Sequence, residues 1–267
     1  MLMQAKNPDG ELMFDPFGLP IYQESDLRVP ETVATNLPYG NAGLPPARED
    51  RPGQNCEFWR DVFRRHIIEP RDWAEWIKRG VGNRRRYCKR VLQQNGIGSC
   101  ASEGITGCYE SLSDMRGLPE VFLNPWPVYY EASGGRDVGS TLQANLKIMR
   151  EVGGVPDVLW PRSQHRWNDV PPRDHAARKA RKNLRIDEYY EVNNATEAVS
   201  ALFADHAVYA AYPGHAWELV APLNTVQGLF RNSWGEEWDD DGFGVIAYTD
   251  ITFQYGIYAI ETVIYRT

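Results

Sequence analysis

The first half of the sequence carries apolar residues at helical spacing. Residues 56–80 place apolar side chains three and four positions apart, which predicts helical structure. Residues 100–112 form a second such stretch. Residues 141–152 and 196–203 repeat the pattern, and Ser140 is the predicted cap of the former.

The second half changes to short apolar runs that are rich in β-branched and aromatic residues. Turn residues separate these runs, so each run predicts a strand. A helix-rich half followed by a strand-rich half is typical of an α+β fold. The predicted strands are residues 207–212, 217–221, 227–232, 244–248 and 258–265.

Two glycines interrupt the predicted helix at residues 100–112. Gly104 and Gly107 each lower its intrinsic helix propensity by roughly 1 kcal/mol. We therefore expect a buried helix that its neighbours approach closely. Cys108 lies on the apolar stripe of this helix, so it is predicted to be a core residue and not a second nucleophile.

Residues 1–55 differ from the rest in composition. They contain eight prolines and five glycines, with scattered apolar residues and no clear period. This predicts an extended arm and not a packed domain. Two interpretations stay open: a leader that follows the surface, or an arm that binds a partner in an assembly or covers a cleft.

Composition and charge exclude some classes of function. An apolar content of 42% is typical of a globular protein. The net charge of −7 argues against nucleic-acid binding, and no apolar run is long enough to span a membrane. The basic cluster at residues 84–90 is predicted to be a solvated face.

Candidate chemistry begins at Cys100, which follows a Gly-Ser turn and opens a predicted helix. The first turn of a helix presents unpaired N–H groups and the positive end of its dipole. This favours the thiolate, which is the nucleophilic form. Gln94 lies six residues upstream, where a tight turn would aim its amide at an oxyanion beside the sulfur.

A histidine and an asparagine farther along complete a candidate triad. His215 follows Gly214, and Asn232 opens the segment Asn-Ser-Trp-Gly. Cys, His and Asn are the parts of a cysteine nucleophile with a base and a residue that orients the base. His206 is the alternative base, but it lies at the predicted edge of a strand.

In this order and spacing, the segments resemble the papain-like cysteine peptidases, and divergent bacterial or phage members in particular. The resemblance covers roughly residues 71–267, and a stretch from Gly139 to Pro161 adds to it. The residues that carry it are Gln94, Gly98-Ser99-Cys100, His215-Ala216-Trp217 and Asn232-Ser233-Trp234-Gly235.

The resemblance implies a two-lobed papain-like fold with a cleft between a helical lobe and an antiparallel, barrel-like sheet lobe. It implies a papain-like domain over residues 56–267. The helical lobe would span about residues 56–165 and carry the nucleophile. The sheet lobe would span about residues 166–267 and carry His and Asn.

The resemblance also implies a role for each site residue. Cys100 would attack a peptide carbonyl, and His215 would hold the thiolate as an ion pair and protonate the leaving amine. Asn232 would orient His215, while Gln94 and the Cys100 N–H would hold the oxyanion. The expected substrate-binding residues along the cleft are Asp137, Gly139, Ser140, Gly214 and Trp234.

Cysteine usage predicts a reduced, cytoplasmic protein. The start of the chain lacks the apolar run of a signal peptide, and Ile97 occupies a position that is a disulfide cysteine in secreted relatives. Free thiols are expected, with a pair between Cys56 and Cys88 as the alternative. No cofactor or metal is expected. The acidic run at residues 239–241 is predicted to be a solvated turn, with cation binding as the alternative.

The predicted function is a cysteine endopeptidase that acts on a protein or peptide. The alternative is a papain-like fold used as a structural subunit of a larger assembly, such as a virion, with residues 1–55 as its tether. A cell-wall amidase of papain-like type is a third class, against which Gln94 and the Asn-Ser-Trp-Gly segment argue.

Overall fold

The computed structural model describes residues 2–23 and 56–266. Within these ranges the helices are α1 (Trp59–Val62), α2 (Pro70–Lys78), α3 (Cys100–Met115), α4 (Trp126–Ala132), α5 (Leu142–Glu151), α6 (Ala176–Ala180) and α7 (Ala195–Phe203). The strands are β1 (Leu123–Asn124), β2 (Val155–Pro156), β3 (Leu184–Ile186), β4 (Tyr189–Val192), β5 (Ala207–Tyr212), β6 (His215–Pro222), β7 (Gln227–Arg231), β8 (Phe243–Ala247), β9 (Ile257–Ile260) and β10 (Val263–Tyr265).

A six-stranded antiparallel sheet forms the larger part of the second half. Its strand order is β4-β9-β5-β6-β7-β8. Because β6 and β7 run antiparallel, with Glu218 opposite Arg231, the start of β6 lies beside the end of β7. His215, the first residue of β6, and Asn232, just beyond β7, therefore lie at the same end of the sheet.

The helix α3 packs across β5 and β6 and is almost entirely buried. A Cβ atom on Gly104 would lie 3.3 Å from the Trp217 backbone, and one on Gly107 would lie 2.6 Å from the Arg231 guanidinium. The prediction that these glycines allow close approach is confirmed. They let the helix that starts at Cys100 lie directly against the strand that starts at His215.

The α+β prediction is confirmed, but some helices and strands begin or end at other residues than the sequence predicted. The cap of α5 is Thr141, whose Oγ1 accepts from the Ala144 N–H, so the prediction of Ser140 as the cap is wrong. The predicted strand at 258–265 is two strands that pair with different partners: β9 with β4 and β5, and β10 with β3. The sequence analysis missed α4, β3 and β4.

The first two helices lie against the sheet lobe. Trp59 donates its indole N–H to Nδ1 of His206 at 3.0 Å, and the Trp73 ring packs edge-on against Tyr248. Both contacts join residues 56–80 to the second half of the chain. His206 is buried in this contact, which leaves it no part in the candidate triad.

Residues 2–23 fold back on themselves, where an extended arm was expected. Three short segments pair in a closed triangle: the N–H groups of Ala5, Ile21 and Met13 bond to the carbonyls of Ile21, Met13 and Ala5, respectively. Turns at residues 7–10 and 15–18 join the segments. We call residues 2–23 the N-terminal module.

The N-terminal module is fastened to the turn between β6 and β7. Asp15 accepts hydrogen bonds from the backbone N–H and the hydroxyl of Thr225, at 3.0 and 2.7 Å. The side-chain amide of Gln227 bonds to both the N–H and the carbonyl of Tyr22. Burial opposes ionisation of Asp15, but hydrogen bonds from Thr225, Leu19 and Phe17 outweigh it and hold the pKa of Asp15 below its usual value.

We predict that Asp15→Ala loosens the N-terminal module. The substitution leaves buried N–H groups without an acceptor, which costs about 1–3 kcal/mol of local stability. Faster amide hydrogen exchange and faster proteolysis within residues 2–23 are the expected results. Asp9→Ala, at an exposed site in the same module, is the matched control. Equal exchange in both variants would contradict the fastening role of Asp15.

Candidate active site

Cys100 is the first residue of α3, and a tight turn leads into it. Asn95 and Gly96 have positive φ angles of 54° and 76°, and the turn closes through a hydrogen bond from the Ile97 N–H to the Gln94 carbonyl. The Ser99 N–H donates to the Ile97 carbonyl at 2.8 Å. The Cys100 side chain is fully buried. We call residues 94–99 the nucleophile turn.

Gln94 joins the nucleophile turn to the segment that follows β7. Its backbone N–H donates to the Ser233 carbonyl, and its side-chain oxygen accepts from the Ser233 hydroxyl, both at 2.9 Å. Its side-chain nitrogen donates to the Ile97 carbonyl at 2.7 Å. These bonds fix the Gln94 amide within the nucleophile turn that leads into Cys100. Ser233 was expected only as part of the Asn-Ser-Trp-Gly segment, and its bond to Gln94 was not predicted.

His215 and Asn232 are bonded to each other, with 2.6 Å between His215 Nε2 and Asn232 Oδ1. An amide oxygen only accepts, so Nε2 carries the proton and Nδ1 is the basic nitrogen. Nδ1 is buried and has no hydrogen-bond partner among the described residues. Asn232 is itself held, because its Oδ1 also accepts from the Ser233 N–H at 2.7 Å.

Aromatic rings enclose the His215 imidazole. Trp234 stacks on it with a centroid separation of 4.7 Å, and Trp238 meets Trp234 edge-on at 5.3 Å. Tyr212 contacts the imidazole edge-on at 5.6 Å. The enclosure keeps solvent away from the bond between His215 and Asn232, so that bond acts in a low-dielectric environment.

Burial sets the protonation states of both groups. Burial lowers the pKa of His215 to about 4, although the Asn232 bond acts in the opposite direction. Burial raises the pKa of Cys100 to about 12, against hydrogen bonds from the backbone N–H groups of Ala216 and Ala101. The structure therefore favours a neutral thiol and a neutral imidazole. The prediction that the helix N-terminus would favour the thiolate does not hold in this enclosed form, because desolvation outweighs the helix end.

A buried ion pair supports the nucleophile turn from the helical side. Glu103, one turn into α3, accepts from the Ser99 hydroxyl and pairs with Arg162 at 3.1 Å. Arg162 also donates to the Gln93 carbonyl. Burial raises the pKa of Glu103, and Arg162 opposes that shift. No local pattern predicts this contact, since Arg162 lies 59 positions from Glu103 in a polar stretch.

A second charged cluster lies beneath the site, between α3 and the strands β6 and β7. Arg231 donates to Glu218, and Arg84 donates to Ser111 at 3.1 Å with its Nε 3.9 Å from Glu218. Arg84 is fully buried, so the prediction that it lies on a solvated face is wrong. Its carboxylate and hydroxyl partners offset the cost of burying its charge.

Two of the expected cleft residues, Gly214 and Trp234, lie next to His215, and the other three lie in the turn at residues 137–140. Gly214 has a positive φ of 87° in the turn before His215, and Trp234 packs on His215. Asp137 is half-buried, and its Oδ1 accepts from the Gly98 N–H at 2.9 Å. The Ser140 hydroxyl is buried and accepts from Asn145 at 2.7 Å.

Gly139 has a positive φ of 76°, and its N–H donates to the Tyr129 hydroxyl at 3.1 Å. The turn at residues 137–140, which we call the glycine turn, is thus bonded to the protein on several sides.

No disulfide forms within the described ranges, which include all four cysteines. The same ranges hold no group of three or more His, Cys, Asp or Glu side chains arranged to bind a metal.

The fold is that of the papain-like cysteine peptidases. Xylellain, a cysteine protease from Xylella fastidiosa, superposes with a TM-score of 0.56 at 19% identity, over 65% of this chain and 83% of its own. Digestive procathepsin L2 proteinase from the larval midgut of Tenebrio molitor gives 0.58 at 16% identity, over 92% and 84%. The proform of the ragweed pollen cysteine protease Amb a 11 gives 0.58 at 16%, over 95% and 82%.

At these identities the likeness defines the fold alone. No protein-family model matches the sequence, and the comparison with curated protein sequences also gives no match. Among the described residues, no helix is both long enough and apolar enough to cross a membrane.

We predict that Cys100 in the substrate-free protein reacts slowly with iodoacetamide at neutral pH. Because burial raises its pKa to about 12, its alkylation rate should rise about tenfold per pH unit between about pH 6 and pH 9. Peptide mapping by mass spectrometry would follow Cys100 separately from the other thiols. The same slope is expected in His215→Ala. A rate plateau in this range that His215→Ala removes would instead indicate a stable ion pair.

Proposed function

We propose that this protein is a cysteine endopeptidase that hydrolyses peptide bonds through Cys100, His215 and Asn232. The observation that carries the proposal is the bond between His215 Nε2 and Asn232 Oδ1, which leaves Nδ1 as a buried base. The hydrogen bond from the Ala216 N–H to the Cys100 sulfur supports the pairing, because it brings the sulfur next to the residue that follows His215.

In the proposed mechanism, the Cys100 sulfur attacks the carbonyl carbon of the scissile peptide bond. His215 Nδ1 takes the thiol proton and then gives it to the leaving amine, which produces a thioester on Cys100. Water hydrolyses the thioester with His215 as the base. A histidine whose pKa is about 4 is already in its basic form at neutral pH.

The nucleophile turn would bind the oxyanion. The side-chain amide of Gln94 lies in this turn and donates to the Ile97 carbonyl in the substrate-free protein. Together with the backbone N–H of Cys100, it would stabilise the negative charge of the tetrahedral intermediate. Ser233 would serve as a positioning residue, because it fixes the Gln94 oxygen.

The substrate would be a protein or peptide that lies along the glycine turn and past Gly214 and Trp234. The reaction requires a reduced Cys100, which agrees with the predicted cytoplasmic setting. Neither nucleic acid nor a membrane has a role in this proposal.

A second candidate function is favoured by the surface of the N-terminal module. Met3 is 65% exposed and Phe14 is 55% exposed, and Leu12, Met13 and Phe17 are also exposed. Several large exposed apolar side chains within one short module favour a protein interaction site. In this alternative, the chain is a subunit of a larger assembly, such as a virion, and the module is its tether.

Hydrolysis of a fluorogenic peptide library tests the peptidase proposal. We predict measurable turnover by the wild-type protein and none by Cys100→Ala or His215→Ala. Gln94→Ala should lower kcat by roughly 10²–10³-fold, since it removes one oxyanion donor. Asn232→Ala should also lower kcat, while Cys88→Ala serves as the control and should leave turnover unchanged.

Turnover that persists in Cys100→Ala would contradict the proposed nucleophile. A folded wild-type protein that hydrolyses no peptide in the library would favour the structural-subunit function instead.

A further inference from the structure

We propose that Asp137 and Tyr129 are positioning residues that cross-link the nucleophile turn to the glycine turn without a covalent bond. The inference rests on the proposed function and extends it. It reassigns Asp137 from a substrate contact to a residue that acts through Gly98.

The cross-link consists of three hydrogen bonds that meet between the two turns. Asp137 Oδ1 accepts from the Gly98 N–H at 2.9 Å and also from the Tyr129 hydroxyl. That hydroxyl in turn accepts from the Gly139 N–H at 3.1 Å. Gly98 lies two residues before Cys100, so a single carboxylate oxygen connects the approach to the nucleophile with the glycine turn.

The direction of these bonds is fixed by burial. Tyr129 is fully buried, and burial together with the neighbouring Asp137 raises the pKa of its hydroxyl well above the usual value. The Tyr129 hydroxyl therefore stays protonated and is the hydrogen-bond donor to the Asp137 carboxyl group. Hydrogen bonds to an ionised acceptor are roughly twice as strong as bonds between neutral groups.

Gly98 fits this arrangement because it has no side chain. A Cβ atom there would lie 2.8 Å from the Tyr129 hydroxyl, 3.0 Å from the Gly139 nitrogen and 3.1 Å from Asp137 Oδ1. All three distances are shorter than an ordinary van der Waals contact of a carbon atom. The backbone of the nucleophile turn is thus pressed directly against the polar atoms of the cross-link.

A parallel connection joins the same glycine turn to the other side of Cys100. Ser102, two residues after Cys100, donates to Asn145, and Asn145 donates to the Ser140 hydroxyl at 2.7 Å. The glycine turn is therefore bonded to positions two before and two after the nucleophile. This explains why Asp137 and Ser140, which the sequence analysis expected to contact substrate, have inward-directed hydrogen bonds.

Ser233 holds the nucleophile turn from the opposite side, through Gln94. The turn is thus fixed between the sheet lobe and the glycine turn by non-covalent bonds, since no disulfide forms within the described ranges. Such a turn keeps its geometry under reducing conditions. Errors of about 1 Å in the placement of reacting groups cost on the order of 10²-fold in rate, so loss of the cross-link should appear in kcat.

Steady-state kinetics of Asp137 variants test the inference. We expect Asp137→Ala to lower kcat by roughly 10–100-fold with KM little changed. Asp137→Asn should recover most of the loss, because its amide oxygen still accepts from Gly98. Tyr129→Phe should lower kcat less, and the double variant Asp137→Ala with Tyr129→Phe should be no worse than Asp137→Ala alone. Asp174→Ala, at an exposed site, is the control.

Amide hydrogen exchange measured by NMR gives a readout that does not depend on turnover. Asp137→Ala should speed exchange at the Gly98 N–H and, more weakly, at the Gly139 N–H. Unchanged exchange at Gly98, or a raised KM with unchanged kcat, would overturn the cross-link and return Asp137 to a substrate-binding role. Protection of Gly98 that depends on Asp137, in a wild-type protein without turnover, would support the cross-link while refuting the proposed function.

Discussion

The close packing of α3 on β6 is the constraint on which the rest of the site depends. Gly104 and Gly107 bring the helix against the backbone of Trp217 and the side chain of Arg231. That contact sets the sulfur of Cys100, at the start of the helix, beside the first residues of β6. Because β7 is hydrogen-bonded to β6, the same contact fixes Asn232 relative to His215. A Cβ atom on Gly104 would crowd the Trp217 backbone, and one on Gly107 would displace the Arg231 guanidinium.

The same packing buries the site away from solvent, and this burial affects both its charged groups and its titratable groups. Charged groups beneath the helix are matched by partners, as with Arg231 and Glu218, because an unpaired buried charge would be strongly destabilising. Cys100 and His215 instead avoid charge: burial shifts both pKa values toward the neutral forms. The proposed mechanism therefore starts from a neutral thiol and a neutral imidazole.

Much of the fold was predictable because helices and strands have different apolar periods. The glycines of α3 also pointed correctly to a buried helix. Local patterns could not show what depends on distant contacts. Residues 2–23 close into a triangle through pairs of segments that have no strong strand pattern. Three contacts join residues that lie dozens of positions apart, and no local pattern indicates them: Arg84–Glu218, Glu103–Arg162 and Gly98–Asp137. The bonding of His215 to Asn232 was expected from a resemblance between sequences, not from their spacing.

The central claim is that Cys100 and His215 form one working nucleophile. Intact-mass analysis after treatment with an epoxide-type cysteine-peptidase inhibitor tests it most directly, because the inhibitor occupies the cleft as a substrate would. Our account predicts one adduct per chain, mapped to Cys100, and no adduct in Cys100→Ala or His215→Ala. Absence of the adduct in the wild-type protein, or labelling that is undiminished in His215→Ala, would contradict it.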